Sequence, residues 1–286
     1  MIPYLVAGTK RLFGLHQPGR ELLILPDDTF VVSYPKSGNT WVRMLISNLL
    51  SPEKPADLWA INRLVPEIEA VTKRQLVTML RPRVIKSHFV FDPRYPRTIY
   101  IVRDPRDVVI SDYHYQRKTR TIDDQYPMKE FVSRFLAGKT SPEVGSWGEH
   151  AASWLTARNG DSRFLLVHYE ALLSDTVGEL VRMAEFLGVP ANTQRLREVA
   201  LLSSADRMRS LEKTQSKASS LMRGSRKDIP FIRAAKSGSW RSDLPDPLVN
   251  NIEEAWSPIM RYLGYEFRFS HAPRALDSFE IVPARR

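Results

Sequence analysis

Residues 29–50 read TFVVSYPKSGNTWVRMLISNLL. Positions 29–34 are β-branched or aromatic apart from one serine, the composition of a buried strand. Positions 35–40 form a short loop with a proline, a glycine and small polar side chains. From Trp41 onward Trp41, Leu45, Ile46, Leu49 and Leu50 recur at helical spacing. A strand, a loop of this length and a helix aim free backbone N–H groups at an anion. Lys36 adds a fixed positive charge, and Ser37, Asn39 and Thr40 add side-chain donors.

Outward from this stretch, β-rich runs at 83–88, 98–103 and 163–169 read as three further strands. Helical patterns occupy 57–80 (ended by Pro82), a segment opening at Pro105, 128–136, 147–157, 176–187 (closed by Gly188), 193–202, 205–211 and 247–263. Residues 118–126 read as a polar loop and 212–236 as a long basic stretch without period. Strands alternating with helices predict a single α/β domain with a mainly parallel β-sheet flanked by helices on both faces. Residues 1–28 form a lead-in, with a short helix as one candidate, 29–269 the domain, and 270–286 a patternless tail. Ligands of such sheets sit at the carboxyl ends of the strands. Lys36, His88, Arg103 and Tyr169 all fall at or just after such an end.

Composition narrows the chemistry. The 286 residues contain no cysteine, which excludes disulfides, cysteine-held zinc, iron–sulfur clusters and a thiol nucleophile. A formal charge of +10 suits a polyanionic ligand. The basic residues are dispersed, without the tail of many nucleic-acid binders. No apolar run reaches the length of a membrane span, and residues 1–15 lack the order of a signal peptide. The expectation is a cytoplasmic protein.

Two more segments carry candidate chemistry. Residues 103–111, RDPRDVVIS, put an arginine at a strand end and a serine two turns into the next helix, a fork of donors plus a hydroxyl that suits phosphate. Residues 84–88, VIKSH, end a strand on a lysine and a histidine, and a neutral imidazole suits the removal of a hydroxyl proton. His16, His114, His150, His168 and His271 have no such neighbour and read as structural.

The loop PKSGNTW is not a Walker-type P-loop, because its lysine precedes its glycine. It resembles instead the 5′-phosphosulfate loop of the cytosolic-type sulfotransferases, which use 3′-phosphoadenosine-5′-phosphosulfate (PAPS). RDPRDVVIS resembles their 3′-phosphate motif, and VIKSH their strand ending Lys-Thr-His, with Ser87 for the threonine. Residues 231–241, FIRAAKSGSWR, resemble a third motif: Arg233, Gly238 and Trp240 match, while Ala234 and Ala235 replace a basic residue and a glycine. An alanine at 235 costs little at negative φ and is strained at positive φ.

The resemblance, which spans residues 30–265, implies a P-loop-like fold and a set of roles. Lys36, Ser37, Gly38, Asn39 and Thr40 hold the 5′-phosphosulfate. Arg103, Ser111, Arg233, Ala234 and Ala235 hold the 3′-phosphate. Trp41, Tyr169 and Ser203 contact adenine, with Ala205 in place of a usual phenylalanine. His88 is the base, Lys36 and Lys86 meet the charge of the leaving phosphate and the sulfuryl group, and Ser111 restrains Lys36 until acceptor binds. No metal is implied. Aromatics in 89–95, 113–115 and 212–236 suit a small-molecule acceptor with a hydroxyl or amine. Nucleic acid and a membrane span are not expected. The family's C-terminal dimer signature is not apparent, so oligomeric state stays open. The alternatives are a P-loop kinase or nucleotidase, which would need magnesium and an acidic strand end, and a non-catalytic nucleic-acid-binding protein, motivated by charge alone.

Overall fold

The structure, a computed structural model, describes residues 22–215, 224–233 and 235–269. Four strands, β1 (Thr29–Ser33), β2 (Val84–Ser87), β3 (Arg97–Val102) and β4 (Phe164–His168), form one parallel sheet in the order β2-β1-β3-β4. Thr29 pairs with Val84 on one side and Arg97 on the other, and Thr98 pairs with Phe164. The strands therefore run in step, and their carboxyl ends share one edge.

The helices among the described residues are α1 (Asn39–Leu50), α2 (Leu58–Leu64), α3 (Lys73–Thr78), α4 (Pro105–Lys118), α5 (Met128–Leu136), α6 (Trp147–Arg158), α7 (Tyr169–Ser174), α8 (Thr176–Leu187), α9 (Thr193–Leu202), α10 (Ala205–Gln215), α11 (Trp240–Asp243) and α12 (Asp246–Tyr262). Alternate strand residues feed two cores, as the period of two requires. Phe30, Val32, Tyr100 and Val102 meet α4, α5, α6 and α12 through Val108, Phe131, Trp154 and Ile252. Val31, Ile99 and Ile101 meet α1, α8 and α9 through Leu45, Leu180 and Leu196. This is the α/β domain, covered on both faces, that the sequence predicts.

One element differs. Residues 57–80, expected as mostly helical, form α2 and α3 with a break between them. The break is extended: Ile68 N donates to Lys86 O at 2.8 Å and Lys86 N to Pro66 O at 2.8 Å. Pro66 has no N–H to continue a helix, and the outer edge of β2 otherwise has unpaired backbone groups. Thr72 then restarts a helix through a capping box with Gln75. At the other edge Tyr169 opens α7 immediately after β4, rather than ending the strand. The lead-in up to residue 21, residues 216–223, Ala234 and the tail from 270 lie outside the described residues; Leu22 and Ile24 of the lead-in pack on the core. No described helix is long and apolar enough to cross a membrane.

Candidate active site

The loop between β1 and α1 sits at the shared carboxyl edge. Gly38 is the N-cap of α1 at φ +98°, and no side chain caps the helix. Its first N–H groups have no intrahelical acceptor. A Cβ on Gly38 would lie 2.5 Å from the Tyr169 ring, so both its φ and its neighbour require glycine. The Ser37 hydroxyl is buried without a partner. Asn39 donates to Ser33 Oγ at 3.1 Å, which ties the loop to its strand, and its Oδ1 is left unpaired.

Arg103 crosses from β3 to this loop. Its guanidinium donates to Lys36 O and to Lys236 O, each at 3.2 Å, and lies 4.4 Å from the Tyr169 ring centroid. Its Nε is buried and unpaired. The aspartates beside it are occupied elsewhere: Asp104 binds Arg106, and Asp107 accepts from Gly238 N at 2.6 Å and Trp240 N at 3.1 Å. The structure thus docks the 235–240 segment against α4, next to Arg103. Unpaired donors on Ser37 and Arg103, beside an uncapped helix start, fit an anionic phosphosulfate or phosphate.

Lys36 itself takes φ +68°. Its ammonium rests on two rings, 3.8 Å from the centroid of Tyr115 and 4.5 Å from that of Phe231. Burial lowers its pKa to about 8, against the opposing pull of Asp112. Asp112, buried on α4, is pushed up to about 6 by the same burial, with Lys36 drawing it back. Ser111 precedes Asp112 on that helix and is half-buried.

His88 lies just past β2, with Nδ1 2.7 Å from Ser33 O. A carbonyl only accepts, so Nδ1 carries the proton and Nε2 keeps a free lone pair. Burial first, and the Lys86 charge second, hold the imidazole well below the ordinary histidine range. Behind it, fully buried His150 donates from Nε2 to His88 O at 3.1 Å. Lys86 is buried between Glu67 at 3.5 Å and Glu69 at 3.6 Å. Glu69 also accepts the His88 backbone N–H at 3.2 Å.

The residues expected around adenine come together as well. Trp41 Nε1 donates to Ser203 O at 2.9 Å, and its ring meets Tyr169 edge-on at 5.8 Å. The Ser203 hydroxyl accepts from Asn48.

Arg233 is half-buried, with Nη1 3.8 Å from Asp243. Ala235 has φ +48°, the strained alternative. Ala235→Gly should therefore raise stability by about 1 kcal/mol, the order of the left-handed penalty for an L-residue. A urea titration measures it, and an unchanged or lowered midpoint would show that this backbone stores no strain.

Two residues of the expected acceptor pocket are core instead. Tyr95 stacks on Phe30 with centroids 3.6 Å apart, and the Tyr113 hydroxyl donates to Tyr126 O. Tyr115, expected with the aromatics of 113–115 to line the acceptor pocket, lies on Lys36 instead, while Asp112, Glu67 and Glu69 fall outside the roles the motifs assign, because single charged residues outside a motif carry no local signal. A cavity of about 990 Å³ opens at the opposite, amino-terminal ends of the strands, beside Thr29, Val84 and Arg97, far along the strands from these groups. Among the described residues no cluster of His, Asp or Glu is placed to hold a metal ion.

Comparison with known proteins gives the family and the fold. The family model for the sulfotransferase domain matches residues 26–264. Rattus norvegicus Sulfotransferase 1E1 is 28% identical over 259 residues, covering 85% of this chain and 86% of that protein. Among solved structures, mouse sulfotransferase SULT7A1 complexed with PAP has a TM-score of 0.67 at 23% identity, covering 90% and 91% of the two chains. Retinol dehydratase in complex with androsterone and PAP has a TM-score of 0.65 at 20% identity, covering 87% and 84%. These two likenesses speak for the fold.

Proposed function

We propose that this chain, which belongs to the sulfotransferase family, transfers a sulfuryl group from PAPS to a hydroxyl or amine of a small-molecule acceptor. The observation that carries the reading is the meeting of four groups at one sheet edge. Arg103 reaches the Lys36 carbonyl and the Tyr169 ring, and His88 reaches the last residue of the same β1 strand.

The donor supplies a sulfur centre whose leaving group is a phosphate. Lys36, Ser37 and the N–H groups opening α1 hold that phosphate, and Arg103 holds the 3′-phosphate with Ser111 and Arg233. Trp41, Tyr169 and the Ser203 segment receive the adenine. His88 takes the acceptor proton at Nε2 as the acceptor oxygen or nitrogen attacks. Lys36 meets the charge that grows on the departing phosphate, the kind of preorganised cation such a transition state needs. Lys86 contributes less than its charge suggests, because Glu67 and Glu69 already offset it. Androsterone, held by the retinol dehydratase whose fold this chain shares, is a small hydroxylated molecule of the acceptor class we assign. A cytoplasmic location and no nucleic-acid partner belong to the same reading.

Thermal shift tests the donor half. 3′-Phosphoadenosine-5′-phosphate (PAP) should raise Tm more than AMP or ATP with magnesium, since Arg103 and Arg233 await the 3′-phosphate. At a hundredfold excess over Kd the stabilisation is about 2.7 kcal/mol. Equal shifts for the three nucleotides would remove the 3′-phosphate site from the reading.

A further inference from the structure

We propose that Tyr115 and Phe231 are positioning residues, a two-ring clamp that holds the Lys36 ammonium until the donor's 5′-phosphate draws it out. The proposal rests on the donor reading above, and it concerns the chain before donor binding, a step earlier than the restraint that the family resemblance gives to Ser111.

The geometry is that of a cation on π systems. The ammonium lies 3.8 Å from the Tyr115 centroid and 4.5 Å from the Phe231 centroid. The two rings meet edge-on, 6.1 Å apart at 80°. Among the described residues no carboxylate is within ion-pairing distance of Lys36; Asp112 and Glu212 act on it only through space, opposed by Arg103 and Lys118. A desolvated ammonium without an anionic partner gains most from ring faces.

Both rings are held in place. Tyr115 stands on α4, one turn beyond Ser111. Phe231 is fixed by an ion pair, buried Lys118 with half-buried Glu212, that the proposed chemistry does not use. Glu212 accepts the backbone N–H of Phe231 at 2.6 Å and of Ile232 at 3.1 Å. Lys118, 3.4 Å from the same carboxylate, donates to Ile229 O at 2.6 Å and Arg226 O at 2.8 Å. A clamp preorganised in this way competes with the donor for Lys36, so breaking it is a cost of donor binding.

Calorimetric titration of PAP into variants of the full chain tests this. Tyr115→Leu should bind PAP about two- to thirtyfold more tightly, the span of one cation–π contact. Tyr115→Phe, which keeps the ring, should match the unaltered chain. In a Lys36→Met background Tyr115→Leu should change nothing, because there is no ammonium to release. Tightening that persists without Lys36, or unchanged or weaker binding in Tyr115→Leu, overturns the clamp while leaving the donor reading in place. Absence of PAP binding to the unaltered chain takes both down. If Tyr115→Leu does not fold, Phe231→Leu carries the same cycle with the same expected signs.

Discussion

Lys36→Met should lower kcat by about 10²–10³-fold, the usual loss for one preorganised group that stabilises transition-state charge. The fold should survive, because a methionine side chain can rest on the Tyr115 and Phe231 rings that Lys36 now occupies. The pH dependence identifies the group. Burial lowers the Lys36 pKa to about 8, so in the free enzyme the ammonium is present below that pH and is lost above it. The donor kcat/KM reports the free enzyme and should fall as pH rises through about 8. In the kcat profile the same limb should lie higher, since the bound phosphosulfate favours the charged form. Lys36→Met should lack the limb. So should Lys36→Arg, whose guanidinium stays charged throughout. A limb that persists near pH 8 in the methionine variant would assign it to another group and remove Lys36 from the charge balance.

Much of the fold was legible because its signals are local. β1, with its loop, is a β-branched run ended by a proline and a glycine, and the helix at 176–187 ends on Gly188 in the left-handed conformation that glycine favours. The break inside 57–80 was not legible because the apolar residues of that stretch serve two ends. Val65 and Ile68 are buried at helical spacing, yet the residues between them pair with β2. Helical spacing cannot reveal that a neighbouring strand needs an edge partner.

The donor half of the candidate site was legible for the same reason, as it is carried by contiguous motifs at strand ends. Its finer shape was not. Nothing in a single sequence says that Glu67 and Glu69 will flank Lys86, or that Phe231, nearly two hundred residues after Lys36, will lie on its ammonium. The first depends on the extended break between α2 and α3 lying beside β2, the second on how α10 and the 224–233 segment fold back over α4, and local pattern encodes neither. Ala235 is the intermediate case. The sequence posed the question of its φ, and only the backbone, at +48°, answered it.

His88→Ala should lower turnover by about 10²–10⁴-fold while leaving fold and PAP affinity close to normal. The fold should tolerate the change because the lost side chain is half-buried and makes one short bond, to Ser33 O. Such a bond is worth about 1 kcal/mol. The backbone N–H of residue 88 keeps its acceptor, Glu69, and the β2 pairing is untouched. PAP affinity should hold because none of the hydrogen bonds described for Lys36, Arg103 and the 35–40 loop is made to the imidazole. The pH–rate profile adds the decisive sign. Burial and the Lys86 charge disfavour the imidazolium, so the free lone pair on Nε2 persists to well below the ordinary histidine value of about 6.5. Activity of the intact enzyme should therefore hold on moving from pH 7 to 6 and fall only further into acid, and that acid limb should vanish in the variant. Three outcomes separate the possibilities on one preparation, measured by turnover, PAP titration and melting temperature. A large loss of turnover at normal affinity, with the limb gone, assigns the base to His88. A lowered melting temperature with unchanged activity per folded molecule would make it a structural residue beside His150. A small loss with the limb intact would hand proton removal to water or to another group, and the mechanism built on Nε2 would fall.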